Sequence, residues 1–235
     1  MINAVIDIGN TNVKIGLFTG KEPLAISVLS QKDVIPYLDI KNVENAMVSS
    51  VASQDNFIEQ LKKIVAKVTE FTIDTPMPIR TLYATPKSLG VDRLAACVGA
   101  RKYTSGNVLV IDAGTCITYD VLTTKNEHLG GIISPGINMR LRAMHTFTAN
   151  LPLVSFSTAS LIGQSTQKSL QSGGANGSLA EMKGLIKQFE CEFDNLSIII
   201  GGGDAVFFDK NLELNTFVVS NLAVEGLHAI FKYNE

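Results

Sequence analysis

Ala4–Phe18 reads AVIDIGNTNVKIGLF, and Val108–Leu122 reads VLVIDAGTCITYDVL. In both stretches an apolar run ends in Asp-x-Gly, a threonine stands within two residues of the glycine, and a second alternating run leads away. Apolar alternation on either side of a Gly-containing polar turn is the pattern of a β-hairpin. A single hairpin of this kind arises readily by chance. Two of them, with Asp7 and Asp112 nearly half a chain apart, predict duplicated halves, residues 1–105 and 106–235.

The segments around the hairpins fit that plan. AMVSSV (Ala46–Val51) reads as a strand, and Phe57, Ile58, Leu61, Ile64 and Val65 recur at the three-and-four spacing of a helix over 56–68. Leu94, Ala95, Val98 and Ala100 predict a second helix over Val91–Tyr103. The later half offers a strand near His128–Ile133, helices near 158–172 and 179–190, and a strand at Leu196–Ile200. A last helix near 221–232 is free to pack on either half. SGGANGS (172–178) reads as a loop. Strands interleaved with helices give an α/β class with mixed sheets covered by helices.

Composition narrows the function classes. A chain of 235 residues holds one large domain or two small ones. With 46% hydrophobic and 18% charged residues it has ample core and little material for a disordered tail. Twenty Lys plus Arg against 22 Asp plus Glu give a net charge of −2, and no basic stripe interrupts the balance, which argues against nucleic-acid binding. The longest apolar run, around Leu196–Ile200, falls far short of the roughly 20 residues that span a bilayer, so no membrane role is expected. MINAVIDIGN carries neither a basic segment nor a cleavage-type site, and the expected location is the cytoplasm. Cys97, Cys116 and Cys191 never form a CxxC pair, so they read as small apolar residues rather than a disulfide framework or zinc site.

Three glycine-rich polar turns remain. In DIGNTNVK (Asp7–Lys14) a tight turn at Gly9 lets backbone amides approach an anion, with donors or charge from Asn10, Thr11 and Lys14. Asp7, at a strand end, suits a hydrated Mg²⁺ that also takes phosphate oxygens. DAGT (Asp112–Thr115) repeats the ingredients, and GGGDA (Gly201–Ala205) joins a strand to a helix, where a phosphate or flat ligand can lie on the backbone. Each turn alone is equally an ordinary hairpin tip or strand-to-helix turn. Neither a dinucleotide fingerprint nor a P-loop is present. His128, His145 and His228 show no pairing that suggests catalysis, and His145 reads as part of a solvated helix face.

The three turns, in this order, resemble the two phosphate segments and the adenosine segment of the actin, Hsp70 and sugar-kinase superfamily. YATPKSLGVDRLAACVGA (Tyr83–Ala100), GGIISPGINM (Gly130–Met139) and TANLP (Thr148–Pro152) narrow the resemblance to the type III pantothenate kinases. That resemblance implies duplicated actin-like (ribonuclease H-like) halves and ATP-dependent phosphorylation of pantothenate to 4'-phosphopantothenate, the first step of coenzyme A biosynthesis. It assigns Asp92 as the catalytic carboxylate. Tyr83, Gly90, Val91, Asp92 and Arg93 would bind substrate, joined by Thr166 from the partner of a homodimer. ATP, with Mg²⁺, would be held by Asp7, Ile8, Gly9, Asn10, Thr11, Asn12, Val13, Lys14 and Thr115, and a monovalent cation, K⁺ or NH₄⁺, by Asp112. Without the resemblance, Asp92 reads as a helix-start carboxylate and Arg93 as a surface ion-pair residue. Two other readings stay open: a superfamily kinase or phosphatase acting on another small molecule, and a nucleotide-binding regulator that no longer catalyses.

Overall fold

Both hairpins form where the alternation places them. A computed structural model describes residues 2–9, 12–50 and 55–235. In chain order the elements of the first part are β1 (Asn3–Ile8), β2 (Val13–Phe18), β3 (Pro23–Leu29), α1 (Gln31–Ile40), β4 (Asn45–Ser50), α2 (Asp55–Leu61), β5 (Lys67–Glu70), β6 (Arg80–Thr81) and α3 (Val91–Ala100). There follow β7 (Val108–Ala113), β8 (Cys116–Leu122), β9 (Glu127–Pro135), α4 (Ile137–Thr146), α5 (Thr166–Glu192), β10 (Ser197–Gly201), α6 (Ala205–Leu212), β11 (Phe217–Val218) and α7 (Leu222–Tyr233). The chain divides into two compact units, one made of residues through Ser105, Val121–Gly130 and Asn221–Glu235, the other of Gly106–Asp120 and Gly131–Ser220.

In the first unit the sheet order is β3-β2-β1-β4-β5, antiparallel across β3, β2 and β1 and parallel from β1 through β4 to β5. Successive side chains of a strand point to opposite faces. Ala4, Ile6, Ile8, Ile15 and Leu17 accordingly face one way, packed with Val34 and Leu38 of α1 and Phe57, Ile58 and Leu61 of α2. Val5, Gly16 and Phe18 face the other way, where Val224 of α7 fills the space over Gly16. Both faces are covered, which is why β1 and β2 are apolar at nearly every position. The last helix, free on sequence grounds to join either half, lies on α3 and β1 in the first unit.

The second sheet runs β11-β10-β7-β8-β9-β6, with β10 parallel to both β7 and β11. Its β6 edge pairs in parallel with Glu127 and His128 at the start of β9, and these residues count with the first unit. In the second unit α4 packs on α5 at Gly174, where a Cβ would approach Leu141 to 2.9 Å.

Several local expectations are corrected. The helix over 56–68 ends at Leu61, and after a turn Val68 lies in edge strand β5; apolar spacing alone cannot separate a last helical turn from the strand that follows it. The loop over 172–178 and its two flanking helices are instead one 27-residue helix, α5, and residues 158–165 are not helical. Ser165 caps α5 by accepting the Lys168 backbone N–H at 3.3 Å. Ser172 and Asn176 of SGGANGS serve tertiary bonds rather than a turn, and Ser178 bonds back to the Gly174 carbonyl of its own helix. Ser172 Oγ donates to the Leu161 carbonyl at 2.8 Å, and Asn176 Nδ2 to the Ala159 carbonyl at 3.3 Å. These bonds fasten the irregular segment before α5 along the helix. Of the cysteines only Cys97 is buried; Cys116 is half-buried and Cys191 exposed.

Candidate active site

In the first unit the expected substrate residues meet around the start of α3. Gly90 caps the helix and Asp92 stands in its first turn, where the helix dipole favours a carboxylate. Asp92 Oδ1 accepts the backbone N–H of Arg93 at 3.0 Å. A Cβ at position 90 would lie 2.5 Å from that oxygen, so glycine is what lets the carboxyl group fold over the helix start. Val91 is half-buried beside it. Arg93 is 7% exposed, which corrects the surface reading, and its guanidinium carbon stands 5.7 Å from the centre of the Tyr83 ring. The tyrosine ring in turn lies 6.4 Å from the ring of His128, which is fully buried. His128 is a member of this cluster that sequence reasoning missed; pairing along the chain gave no signal, because its neighbours come from β6 and α3.

The other anion-binding candidate of this unit is the β1–β2 turn. Asp7 and Lys14 are cross-strand partners, both half-buried, and alternation places Asp7 on the sheet face opposite Ile6 and Ile8. The Gly9 N–H donates to the Asn12 carbonyl at 3.1 Å and closes the turn. Ile8 and Val13 bury their side chains in the core, so only their backbone is left to meet a ligand. Asn12 is exposed, and Asn10 and Thr11 lie outside the described residues.

In the second unit Asp112, next to last in β7, lies beside Gly201 of β10. Gly202 has φ +92°, a backbone region that favours glycine, and a Cβ there would lie 2.3 Å from the Ala113 carbonyl oxygen and 2.5 Å from Asp112 Oδ1. Any side chain at position 202 would therefore collide with the end of β7, and the bare glycine lets this turn pack directly against Asp112 and Ala113. Gly114 N–H donates to the Cys116 carbonyl at 2.9 Å, and Thr115, at the tip, is exposed. Gly136 of the SPG motif packs on this turn: its N–H donates to the Thr115 carbonyl at 3.1 Å, and a Cβ would come within 2.2 Å of the Gly114 oxygen. The Asp204 N–H donates to the Ala113 carbonyl at 2.9 Å, and burial raises the pKa of its half-buried carboxyl group. Asp204 is a second residue the sequence did not single out. Thr166 is exposed as the first residue of α5, and His145 is exposed on α4 with Nδ1 2.7 Å from the Leu151 carbonyl oxygen.

The type III pantothenate kinase family model matches residues 4–188, a span that holds both hairpins, the start of α3 and Thr166. A type III pantothenate kinase of Christiangramia forsetii is 40% identical over 100% of this chain and 99% of its own length. Among solved structures, a Campylobacter jejuni protein assigned to the Baf family of transcriptional activators superposes with a TM-score of 0.66, at 24% identity and 98% coverage of both chains. An inorganic polyphosphate/ATP-glucomannokinase from an Arthrobacter species gives a TM-score of 0.50 at 15% identity, over 100% of this chain and 99% of that one. These structural likenesses show the duplicated α/β fold of the actin-like sugar kinases. With a family model over most of its length and a relative at this identity over all of it, the chain belongs to the type III pantothenate kinase family.

Proposed function

We propose that this protein transfers the γ-phosphoryl group of ATP to the primary hydroxyl of pantothenate, the first step towards coenzyme A. Its family supports that activity. The observation that carries the mechanism is the Asp92 carboxyl group, set over the start of α3 beside the buried Arg93. Phosphoryl transfer demands little covalent chemistry from a protein beyond an aligned hydroxyl, an acceptor for its proton and compensation for phosphate charge. Asp92 accepts the hydroxyl proton as the oxygen attacks the γ-phosphorus and the bond to ADP breaks. Arg93 and Tyr83 hold pantothenate with its hydroxyl directed at that carboxylate, and Gly90 and Val91 shape the backbone around it.

ATP is bound by the Asp7–Lys14 turn, through backbone amides and the Lys14 ammonium, and by Thr115. Asp7 is the carboxylate suited to a hydrated Mg²⁺, which neutralises phosphate charge when bound. Asp112, on β7 beside Gly201, is the carboxylate that would take K⁺ or NH₄⁺, which would add positive charge to the phosphate site. The functional form is a homodimer in which Thr166 reaches the partner's pantothenate. Large exposed apolar side chains support this assembly: Phe147 and Leu161 are 85% and 81% exposed, with Ile162 and Leu153 alongside in the same stretch of chain. Among the described residues no helix is long and apolar enough to cross a membrane, and we place the enzyme in the cytoplasm.

The test is ADP release with ATP, Mg²⁺ and pantothenate, measured in K⁺ and again in Na⁺. Turnover that requires pantothenate and falls in Na⁺ is expected. Pantothenate-dependent turnover indifferent to the cation removes Asp112 as a cation ligand, and absence of pantothenate-dependent turnover removes the substrate.

A further inference from the structure

The buried His128 has a defined set of partners. On β6 and β9, Thr81 and His128 are directly opposed, and the Leu82 N–H donates to the His128 carbonyl at 2.8 Å. His128 Nδ1 lies 2.9 Å from Thr81 Oγ1, and the same oxygen accepts the Tyr83 backbone N–H at 3.1 Å. One hydroxyl therefore ties the imidazole to the backbone of the tyrosine two residues on. The Tyr83 ring is then boxed in. His128 stands 6.4 Å away between ring centres at a 31° tilt, and the Arg93 guanidinium carbon lies 5.7 Å from the tyrosine ring centre. On a third side Gly130, at φ +99°, would bring a Cβ to 3.0 Å from Tyr83 Cδ2, a space glycine leaves to the ring.

β6 is only two residues long, and Thr81 is only half-buried. So short an edge strand gives weak control over a side chain that must meet substrate. The hydroxyl–imidazole contact supplies the missing constraint from a fully buried position on β9. We propose that Thr81 and His128 form a positioning pair: they fix the Tyr83 ring against the Arg93 guanidinium and so set the affinity for pantothenate, without themselves touching the reacting atoms. The proposal deepens, and rests on, the reading of Tyr83 and Arg93 as pantothenate contacts. A misplacement of about 1 Å in a positioning group is enough to weaken a site strongly.

The test compares Thr81→Val, which removes the hydroxyl at equal size, with Thr81→Ser, which keeps it, and with His128→Phe, which keeps a ring but removes Nδ1. Thr81→Val and His128→Phe should each raise KM for pantothenate about tenfold, leaving KM for ATP and kcat within about twofold, and the double variant should be no worse than either. Thr81→Ser should match wild type. Wild-type KM for pantothenate in both disruptive variants overturns the pair. So does equal loss in Thr81→Ser and Thr81→Val, or a parallel rise in both KM values, as a merely structural role would give. If Thr81→Val fails to fold, His128→Phe against Thr81→Ser carries the same comparison. Fluorotyrosine labelling gives a readout independent of turnover: the Tyr83 signal, one of five and identified through Tyr83→Phe, should move in the disruptive variants and stay in Thr81→Ser. A signal unmoved in His128→Phe overturns the pair. Absence of pantothenate turnover in the wild type would sink the functional reading instead, while the fluorine spectra would still decide whether the pair holds Tyr83.

Discussion

Because position 90 lacks a Cβ, the Asp92 carboxyl group can lie over the first turn of α3 and still accept the Arg93 amide. Asp92→Asn preserves that shape and that hydrogen bond, since the amide oxygen also accepts, and removes only the basicity. Its kcat should fall by about 10²–10⁴-fold while calorimetric binding of ATP and pantothenate is retained. A kcat within a few-fold of wild type would take the general-base role away from Asp92. His228 illustrates a buried titratable group outside the site. Its ring stacks on Phe18 at 3.7 Å and 7°, and Nε2 is buried with no hydrogen-bond partner among the described residues. Burial first, then the nearby Lys232 charge, lowers its pKa to about 4, with Lys102 adding to the effect and Glu235 and Glu22 opposing it. The unfolded chain takes up this proton near pH 6.5 and the folded chain only near 4, so stability present above 6.5 is lost as pH falls through that window. The loss amounts to roughly 3 kcal/mol at its largest. His228→Phe keeps the stack and should flatten the decline in urea midpoint between pH 6.5 and 4.5. An unchanged slope would assign the acid sensitivity to other groups.

At the scale of elements α3 and α7 of the first unit cross backbone against backbone. A Cβ on Gly226 would lie 1.7 Å from the Ala95 carbonyl oxygen, and one on Gly99 2.2 Å from the Leu222 oxygen. Both obstacles are backbone, so no side chain can turn aside to relieve them. Gly226→Ala should therefore cost about 3 kcal/mol or more in urea unfolding. Gly184→Ala, in α5 with open space around its Cβ position, should instead stabilise by about 0.5–1 kcal/mol. Equal effects of the two changes would mean that the crossing relaxes. The same elements explain how much was legible beforehand. β1–β2 and β7–β8 were readable because each carries its signal, alternation about a Gly turn, within 15 residues. α5 was misread because Gly173, Gly174 and Gly177 are local breakers; one of them answers to Leu141, Ser172 and Asn176 answer to the 159–161 backbone, and Ser178 bonds back to the Gly174 and Ala175 carbonyls within the helix. Asp92 and Arg93 stood out through a contiguous motif, whereas His128 and Asp204 acquire their meaning only from the strands and turns beside them.

For the molecule as a whole, chain order and compactness part company. The first break falls between Ser105 and Gly106, yet Val121–Gly130 and the C-terminal helix count with the first unit. Hairpin repetition could announce two halves, but no pattern in α7 itself says which sheet its apolar face will cover; Val224 over Gly16 settles that. The largest structure proposed here is a dimer whose sites are composite, with Asp92 from one protomer and Thr166 from its partner. That arrangement has a signature no monomeric site can imitate. Asp92→Asn disables a site from within, and Thr166→Arg places a bulky charge on the exposed start of α5 and disables the partner's site instead. In a mixed dimer both lesions fall in one site, and the other keeps an intact Asp92 and an intact Thr166. If protomers exchange at random, half the dimers are mixed and each has one working site, so the mixture should recover about a quarter of wild-type turnover from two inactive parents. Recovery should follow the rate of subunit exchange, checked by light scattering to confirm the dimer mass. A mixture no more active than its parents, in dimers shown to have exchanged, would return Thr166 to its own protomer.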